Sequence, residues 1–328
     1  MTRPTLEWAH EPEVVQLPPP PGLVAVATGV TVNGAILRLF ATKPPPPRPQ
    51  GRTHRQHEAD LRARALVPDH AVLQIADGTG RREVPLAGPI PRFPYVDQLP
   101  TGDILVVGAR CRFSGASGPE RNARLHDPHG ALLRELTLGD GIAKVQVDHA
   151  GAIWVSYFDE GIFGNLGWGD GGAASQPLGF AGLARFDDRG NKVWDYEPPP
   201  GLDEMADCYA LNVGSSGAWA YYYTDFPLVH LSTSGKVRAW RTDVKGGRAI
   251  VTDGWRAIVF GGYGEERTAC VALRLEDGER ARVVADVTLR LPDGASLASA
   301  HVIGCGDTLH VFDGERAHRF RLGALPPA

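Results

Sequence analysis

Carboxyl side chains gather in two segments of this sequence. Asp159 and Glu160 are adjacent, and Asp207 lies in the segment GLDEMADCYALN. Clusters of oxygen ligands favour Ca²⁺ or Mg²⁺ over zinc. Crowded carboxylates also raise one another's pKa values, which is how a general acid is made. These three residues are therefore candidate ligands of a divalent cation, and no catalytic residue is assigned. The alternative interpretation is a set of solvated loop acids.

The segment of residues 158–182, FDEGIFGNLGWGDGGAASQPLGFAG, carries further polar and stacking groups. Its candidate ligand-binding residues are Asn165, Trp168 and Asp170, on a glycine-rich backbone that can approach a ligand closely. The segment matches neither a P-loop nor a dinucleotide fingerprint, and no helix is evident in it. The alternative is a self-packed loop in which Phe163 and Trp168 plug a channel mouth.

Other polar and aromatic residues follow predicted strands and complete the candidate set. The predicted principal contacts of a ligand are Asp159, Glu160, Trp168, Asp207 and Tyr209. Packing between strands is the alternative role for the aromatic residues, and a satisfied core histidine is the alternative for His301. The remaining candidate ligand-binding residues are Asn212, Asp225, Tyr263 and His301.

A repeated phrase of strand, glycine turn and strand must position these residues. Hairpin turns favour glycine because it adopts a positive φ without steric cost. Six copies of the phrase predict an all-β fold, a six-bladed β-propeller of four-stranded antiparallel blades, as a single domain over residues 1–328. First-to-second-strand turns are predicted at Gly34, Gly102, Gly151, Gly217, Gly254 and Gly306. Third-to-fourth-strand turns are predicted at Gly80, Gly130, Gly190, Gly235 and Gly278.

The sixth unit ends before a fourth strand can form. The N-terminal segment TLEWAHEPEVVQL has no partner of its own and is predicted to supply that strand. Closing the ring in this way removes an open sheet edge. A two-domain β-sandwich is the main alternative fold.

The phrase VDHAGAIWVSYF, with the turns TDGW and TGDILVV, resembles six-bladed propellers of the NHL and SMP-30/gluconolactonase-like kind. That resemblance implies relatives that include lactonases, lyases, strictosidine-synthase-like proteins and plain binding scaffolds. It also implies, for lactonase-like members, a divalent metal held in the central channel by Glu, Asn and Asp side chains. No such set is assigned here residue by residue.

A second long insert, at about residues 41–70 of the first blade, combines a polyproline stretch with a basic segment predicted to be helical. Thr53 and Gln56 have the spacing of a capping box at the start of that helix. A tolerated surface insertion is the favoured interpretation, and a docked lid or partner-binding arm is the alternative. A zinc site at His54 and His57 is disfavoured because no fourth ligand is implied.

Composition narrows the class of protein. The net charge of -4 argues against a nucleic-acid-binding surface, which normally needs a basic domain or stripe. No segment approaches the about 20 apolar residues of a membrane span, and no signal-peptide core is evident, so a cytoplasmic protein is expected. The four cysteines are too scattered for a metal knuckle and are expected to be free thiols.

Two functional hypotheses remain. The first is a propeller scaffold that binds a small molecule or a protein partner at the channel mouth near blades 3 and 4. The second is a hydrolase or lyase assisted by a divalent metal, with carboxylates on the same face holding the cation. The sequence leaves open whether the protein is an enzyme, and it leaves the oligomeric state open.

Overall fold

Six blades, each with four antiparallel strands, form a ring in the computed structural model, which confirms the predicted β-propeller. The structure describes residues 3–11, 13–42, 53, 56, 70–170, 172–277 and 279–327. Most of the predicted insert at about residues 41–70 lies outside these ranges. So do His54, His57 and the predicted turn at Gly278. Thr53 and Gln56 are described, and each accepts a hydrogen bond from the other's backbone N–H, as a capping box requires.

The first three blades use consecutive strands. Blade 1 consists of Leu23–Val30, Ile36–Thr42, Ala71–Asp77 and Gly80–Leu86. Blade 2 consists of Pro94–Gln98, Ile104–Gly108, Ala123–His126 and Leu132–Leu136, with a small hairpin of Phe113–Ser114 and Gly118–Pro119 above it. Blade 3 consists of Ile142–Val147, Ile153–Tyr157, Leu183–Phe186 and Lys192–Asp195.

The other three blades follow the same plan. Blade 4 consists of Asp207–Gly214, Gly217–Tyr223, Leu228–Ser232 and Val237–Trp240. Blade 5 contains Ala249–Thr252, Arg256–Phe260, Cys270–Leu275 and Ala281–Leu289. Blade 6 contains His301–Cys305, Thr308–Asp313 and Arg316–Arg321. Short 3-10 helices are Gly172–Ser175, Gly264–Thr268, Pro292–Gly294, Leu297–Ser299 and Leu322–Ala324.

The N-terminal segment closes the ring, as predicted, and does more than predicted. Val15–Gln16 pairs antiparallel with the last strand of blade 6. Thr5–Trp8 pairs in parallel with Ala281–Leu289 and gives blade 5 a fifth strand. Parallel pairing needs no hairpin turn, so no local turn signal in the sequence could reveal this second contact.

The turns show why the repeated phrase folds as it does. In the first turn of blade 3, the Asp148 carboxylate accepts hydrogen bonds from the backbone N–H groups of Ala150 and Ala152. Gly151 completes the turn with φ at 84°, a conformation that side chains with a Cβ resist. An aspartate followed three residues later by glycine therefore encodes a tight strand connection.

The core consists of apolar clusters between neighbouring blades, and the strands nearest the axis approach one another closely. A Cβ added to Gly304 would lie 1.9 Å from the Ile250 carbonyl oxygen. Gln146 of blade 3 reaches across the axis, donates to the Gly304 carbonyl of blade 6 at 2.9 Å, and accepts from Val213 N of blade 4 at 2.8 Å. The channel is therefore crossed by a side chain partway along its length.

The insert of blade 3 contains a helix that the sequence did not indicate. Helix α1, Asp159–Phe163, is too short to show a helical periodicity in sequence.

All four cysteines, at 111, 208, 270 and 305, are free and buried. Within the described ranges, no helix has the length and the apolar composition needed to cross a lipid bilayer.

Candidate functional site

One face of the ring carries most of the exposed aromatic side chains. We call it the insert face, because the second-to-third-strand connections and the blade-to-blade connections form it. Five large aromatic residues are exposed there, whereas Trp255 is exposed on the opposite face, at a first-to-second-strand turn. Aromatic residues are enriched at the surfaces through which proteins bind one another. The five residues are Phe93, Phe163, Phe180, Tyr223 and Tyr263.

Phe226 organises the aromatic residues above blades 4 and 5. Its ring is buried, stacks on Tyr209 at 5.4 Å, and also contacts Tyr221, Tyr223 and Tyr263. Its backbone has φ at 53°, and Asp225 before it has φ at 61°. A bulky residue in this left-handed region carries backbone strain, which persists only where the surrounding structure holds it.

Tyr209 and Tyr263 join two blades at this face. Their hydroxyl groups are hydrogen-bonded at 2.8 Å, and their rings meet edge to face. Burial and the neighbouring hydroxyl of Tyr263 raise the pKa of Tyr209, so the Tyr209 phenol stays protonated at neutral pH. The two predicted residues therefore lie together, with Asp225 exposed on the adjoining turn.

Asp159 and Asp207 form an acidic pair between blades 3 and 4. Asp159 is exposed at the start of α1, and Asp207 is half-buried at the start of the innermost strand of blade 4. Burial, followed by the negative charge of Asp159, raises the pKa of Asp207 to about 6. The structure brings these two predicted residues together.

Glu160 is engaged differently from Asp159. Its carboxylate pairs with the Arg110 guanidinium at 2.6 Å, and Arg110 also binds both oxygens of buried Asp140 at 2.9 Å. Asp140 in turn accepts from the Cys111 backbone N–H at 2.7 Å. Glu160 thus belongs to a network that ties the insert of blade 3 to blade 2.

The blade 3 insert packs on the hairpin of blade 2. Trp168 is buried, donates from Nε1 to the Cys111 carbonyl at 2.7 Å, and packs on Phe113 at 5.1 Å. The side chain of Asn165 accepts from Leu166 N, and Asp170 is exposed. This arrangement matches the self-packed loop more closely than a loop that offers Trp168 to a ligand.

Asn212 lies further along its strand than Asp207 and Tyr209, away from the insert face. It is fully buried, donates to the carbonyls of Ile250 and Gly306, and accepts from Gly306 N. These bonds connect blade 4 to blades 5 and 6 near the axis. Asn212 is therefore placed to hold the ring together.

A narrow funnel leads from the insert face toward the axis and contains the predicted residue His301 and two cations, Lys144 and Arg248, that sequence reasoning missed. Lys144, Arg248 and His301 line it, together with Tyr95, and Gln146 and Gly304 lie at its closed end. His301 still contacts solvent. Nevertheless, the surrounding protein and then the charges of Lys144, Arg248 and Arg38 lower the pKa of His301 to about 4. A signal existed in sequence: Lys144 and Gln146 alternate with apolar residues in the innermost strand of blade 3.

The opposite face holds a broader basin, lined by first-to-second-strand turns around the axis. Several of its polar groups already serve the turns. Asp253, for example, accepts from Trp255 N and Arg256 N and pairs with the Arg256 guanidinium. The described residues include no cluster of three or more His, Cys, Asp or Glu side chains arranged to hold a metal. We assign the candidate site to the insert face, because the exposed aromatic residues and the Asp159–Asp207 pair lie there.

The Asp159–Asp207 pair gives a pH-dependent prediction. The folded state binds the Asp207 proton more tightly than the unfolded chain does. The contribution of Asp207 to the free energy of unfolding therefore falls as pH rises from about 4 to about 6. We expect Asp159→Asn to lower the pKa of Asp207 partway toward its ordinary value, since burial remains. Carboxyl ¹³C NMR titration measures this pKa. Asp225→Asn is the control, and an equal fall in both variants would contradict the pairing.

Comparisons with known proteins add the following. Neither a protein-family model nor a curated protein matches this sequence. Among solved structures, the chain is similar to virginiamycin B lyase from Staphylococcus aureus, with 13% identity, a TM-score of 0.44, and coverage of 94% of this chain and 98% of that one.

Two further solved structures are similar to this chain. YCF48 bound to D1 peptide has 11% identity and a TM-score of 0.42, with coverage of 98% of this chain and 99% of that one. BamB from Moraxella catarrhalis has 13% identity and a TM-score of 0.42, with coverage of 96% and 78%. Likenesses this distant carry no argument about what the present chain binds.

Proposed function

We propose that this protein is a propeller scaffold that binds a protein partner across the insert face. The observation that carries the proposal is the set of five exposed aromatic residues distributed over blades 2 to 5. Such a spread is wider than one small molecule needs and suits an extended segment of a partner. Aromatic residues of this kind supply large contact area with little loss of conformational entropy.

The charge of the rim favours a partner segment with Lys or Arg among apolar residues. Asp159 and Asp207 make no ion pair within the described part of the chain. Tyr223 and Tyr263, exposed by 47% and 54%, offer ring faces near them. Cations bind both carboxylates and aromatic faces. The proposed contacts are therefore Asp159, Asp207, Tyr209, Tyr223 and Tyr263.

The strained turn supports the same proposal. Phe226 holds Tyr209, Tyr223 and Tyr263 in one cluster while its own backbone stays in the left-handed region. Strained backbone concentrates at binding sites because it fixes side chains in advance of the ligand. A fixed cluster reduces the entropy lost on binding.

Selection from a displayed library of random peptides tests the proposal without a known partner. We expect the enriched peptides to contain basic and apolar residues, and Tyr263→Ala to weaken their binding by about tenfold, as a central aromatic contact would. Fluorescence anisotropy with purified protein measures the affinity. Trp255→Ala is the matched control, because Trp255 is an exposed aromatic residue of the same blade on the opposite face. Equal binding to Tyr263→Ala and wild type would refute the assignment.

The alternative, a hydrolase or lyase assisted by a divalent metal, rests on the Asp159–Asp207 pair and on the resemblance to gluconolactonase-like propellers. Two adjacent carboxylates, one with a raised pKa, are chemically suited to a cation such as Ca²⁺ or Mg²⁺. The Asp207 titration distinguishes the two functions. A cation bound between the carboxylates would lower the pKa of Asp207 when Ca²⁺ or Mg²⁺ is added, and an unchanged titration would count against the enzyme.

A further inference from the structure

The funnel holds two cations without a countercharge. Among the described residues, the Lys144 side chain makes no hydrogen bond or ion pair, and the Arg248 guanidinium pairs with no carboxylate. Arg248 donates weakly to the Ala300 carbonyl at 3.5 Å and lies over the Phe260 ring at 4.9 Å. Its Nε is buried without a partner. Buried charges are ordinarily paired, so this arrangement calls for an explanation.

The charge of Arg248 also makes the protonated form of Lys144 less favourable. Burial, and then the charge of Arg248, lower the pKa of Lys144. Burial, and then the charge of Arg267, lower the pKa of Arg248. The Cys208 thiol beside Lys144 supplies no negative charge, because burial raises its pKa to about 12. A cluster of like charges at the end of a funnel costs stability unless an anion neutralises it.

The shape of the funnel suits a small group that enters from the insert face. Solvent-accessible His301 lies at the open end, and the Gln146 amide and Gly304 close the other end. The Gln146 side chain is fixed there by one bond to blade 6, from its Nε2 to the Gly304 carbonyl, and one to blade 4, from Val213 N to its Oε1. The walls come from the strands nearest the axis.

We propose that the funnel binds a singly or doubly charged anionic group, a carboxylate or a phosphate, between the Lys144 ammonium and the Arg248 guanidinium. Such groups form charge-assisted hydrogen bonds with both side chains. The site is separate from the aromatic residues and from the Asp159–Asp207 pair. It stands whether or not a protein partner binds across the insert face.

Isothermal titration calorimetry with inorganic phosphate and, separately, with acetate tests the site at constant ionic strength. Binding of phosphate alone assigns a phosphate group, and binding of acetate alone assigns a carboxylate. We expect Lys144→Met and Arg248→Met each to weaken binding by about tenfold or more, the loss expected for a charged hydrogen bond. Lys236→Met, in an exposed hairpin of blade 4, and Arg319→Met, in the opposite basin, should bind as wild type does.

A second measurement keeps the proposal testable if one variant folds poorly. In a buffer without phosphate or carboxylates, Lys144→Met should raise the Tm, because it removes an unpaired buried charge and keeps an unbranched chain. Addition of the anion should raise the Tm of wild type and leave that of Lys144→Met unchanged. The proposal is overturned if neither anion binds wild type at millimolar concentration, or if both funnel variants bind as tightly as wild type.

Discussion

Replacing Trp8 with alanine should destabilise the propeller by about 3–5 kcal/mol, the usual cost of deleting a buried aromatic side chain. Trp8 is 1% exposed, packs edge to face on Phe320 at 5.6 Å, and donates from Nε1 to the Arg321 carbonyl at 2.8 Å. It thereby fixes the N-terminal segment to both blade 5 and blade 6. Losing it should loosen the contact that closes the ring.

Chemical denaturation with urea measures this change. Trp8→Phe should lose much less stability, because it keeps most of the aromatic packing and removes only the hydrogen bond. Trp255→Ala is the second control, since that side chain is 76% exposed and exposed substitutions usually change stability by less than about 0.5 kcal/mol. A loss for Trp8→Ala no larger than for Trp255→Ala would show that the N-terminal segment is not needed to close the ring.

Asn212→Ala should cost about 3 kcal/mol, because it removes three hydrogen bonds to backbone groups near the axis, although the Gly306 carbonyl keeps a bond from the Thr252 N–H. The Asn212 amide donates to Ile250 O at 2.7 Å and to Gly306 O at 2.8 Å, and its oxygen accepts from Gly306 N at 2.7 Å. No other side chain of the described residues donates to these two carbonyls. The variant should therefore loosen blades 4, 5 and 6 near the axis.

The same denaturation experiment, with hydrogen exchange of the Gly306 amide, checks this prediction. Asn191→Ala is the control, because Asn191 lies in an exposed turn and its side-chain amide donates to Asp187 of the same turn. We expect faster exchange at Gly306 in Asn212→Ala alone. Unchanged stability and exchange would mean that water or a rearranged side chain replaces the three bonds.

Most of the architecture could be predicted from local sequence because each hairpin turn has a local chemical signature. Gly102, Gly130 and Gly151 all have positive φ values, which the turns require and glycine provides. The sequence of the last blade ends before a fourth strand, so its completion by the N-terminal segment could also be predicted. The parallel strand Thr5–Trp8 could not be predicted, because its register depends on contacts far apart in sequence.

The candidate site was only partly predictable. Asp159 with Asp207, and Tyr209 with Tyr263, lie together because each pair lies at the same face of neighbouring blades. The role of Trp168 could not be inferred, since the path of a glycine-rich loop decides whether its ring faces a ligand or Phe113.

The funnel was missed for a different reason. Lys144, Arg248 and His301 belong to three blades, and their convergence depends on how the strands turn around the axis. The alternation of Lys144 and Gln146 with apolar residues in the innermost strand of blade 3 was the available signal.

The most direct test of the central claim, that the insert face is the binding surface, is a crystal structure of the protein with a peptide selected from the random library. We predict that the peptide lies across the aromatic residues of blades 2 to 5, with basic side chains near Asp159 and Asp207. A peptide bound in the basin of the opposite face, with Tyr263 and Tyr223 still exposed, would contradict the claim.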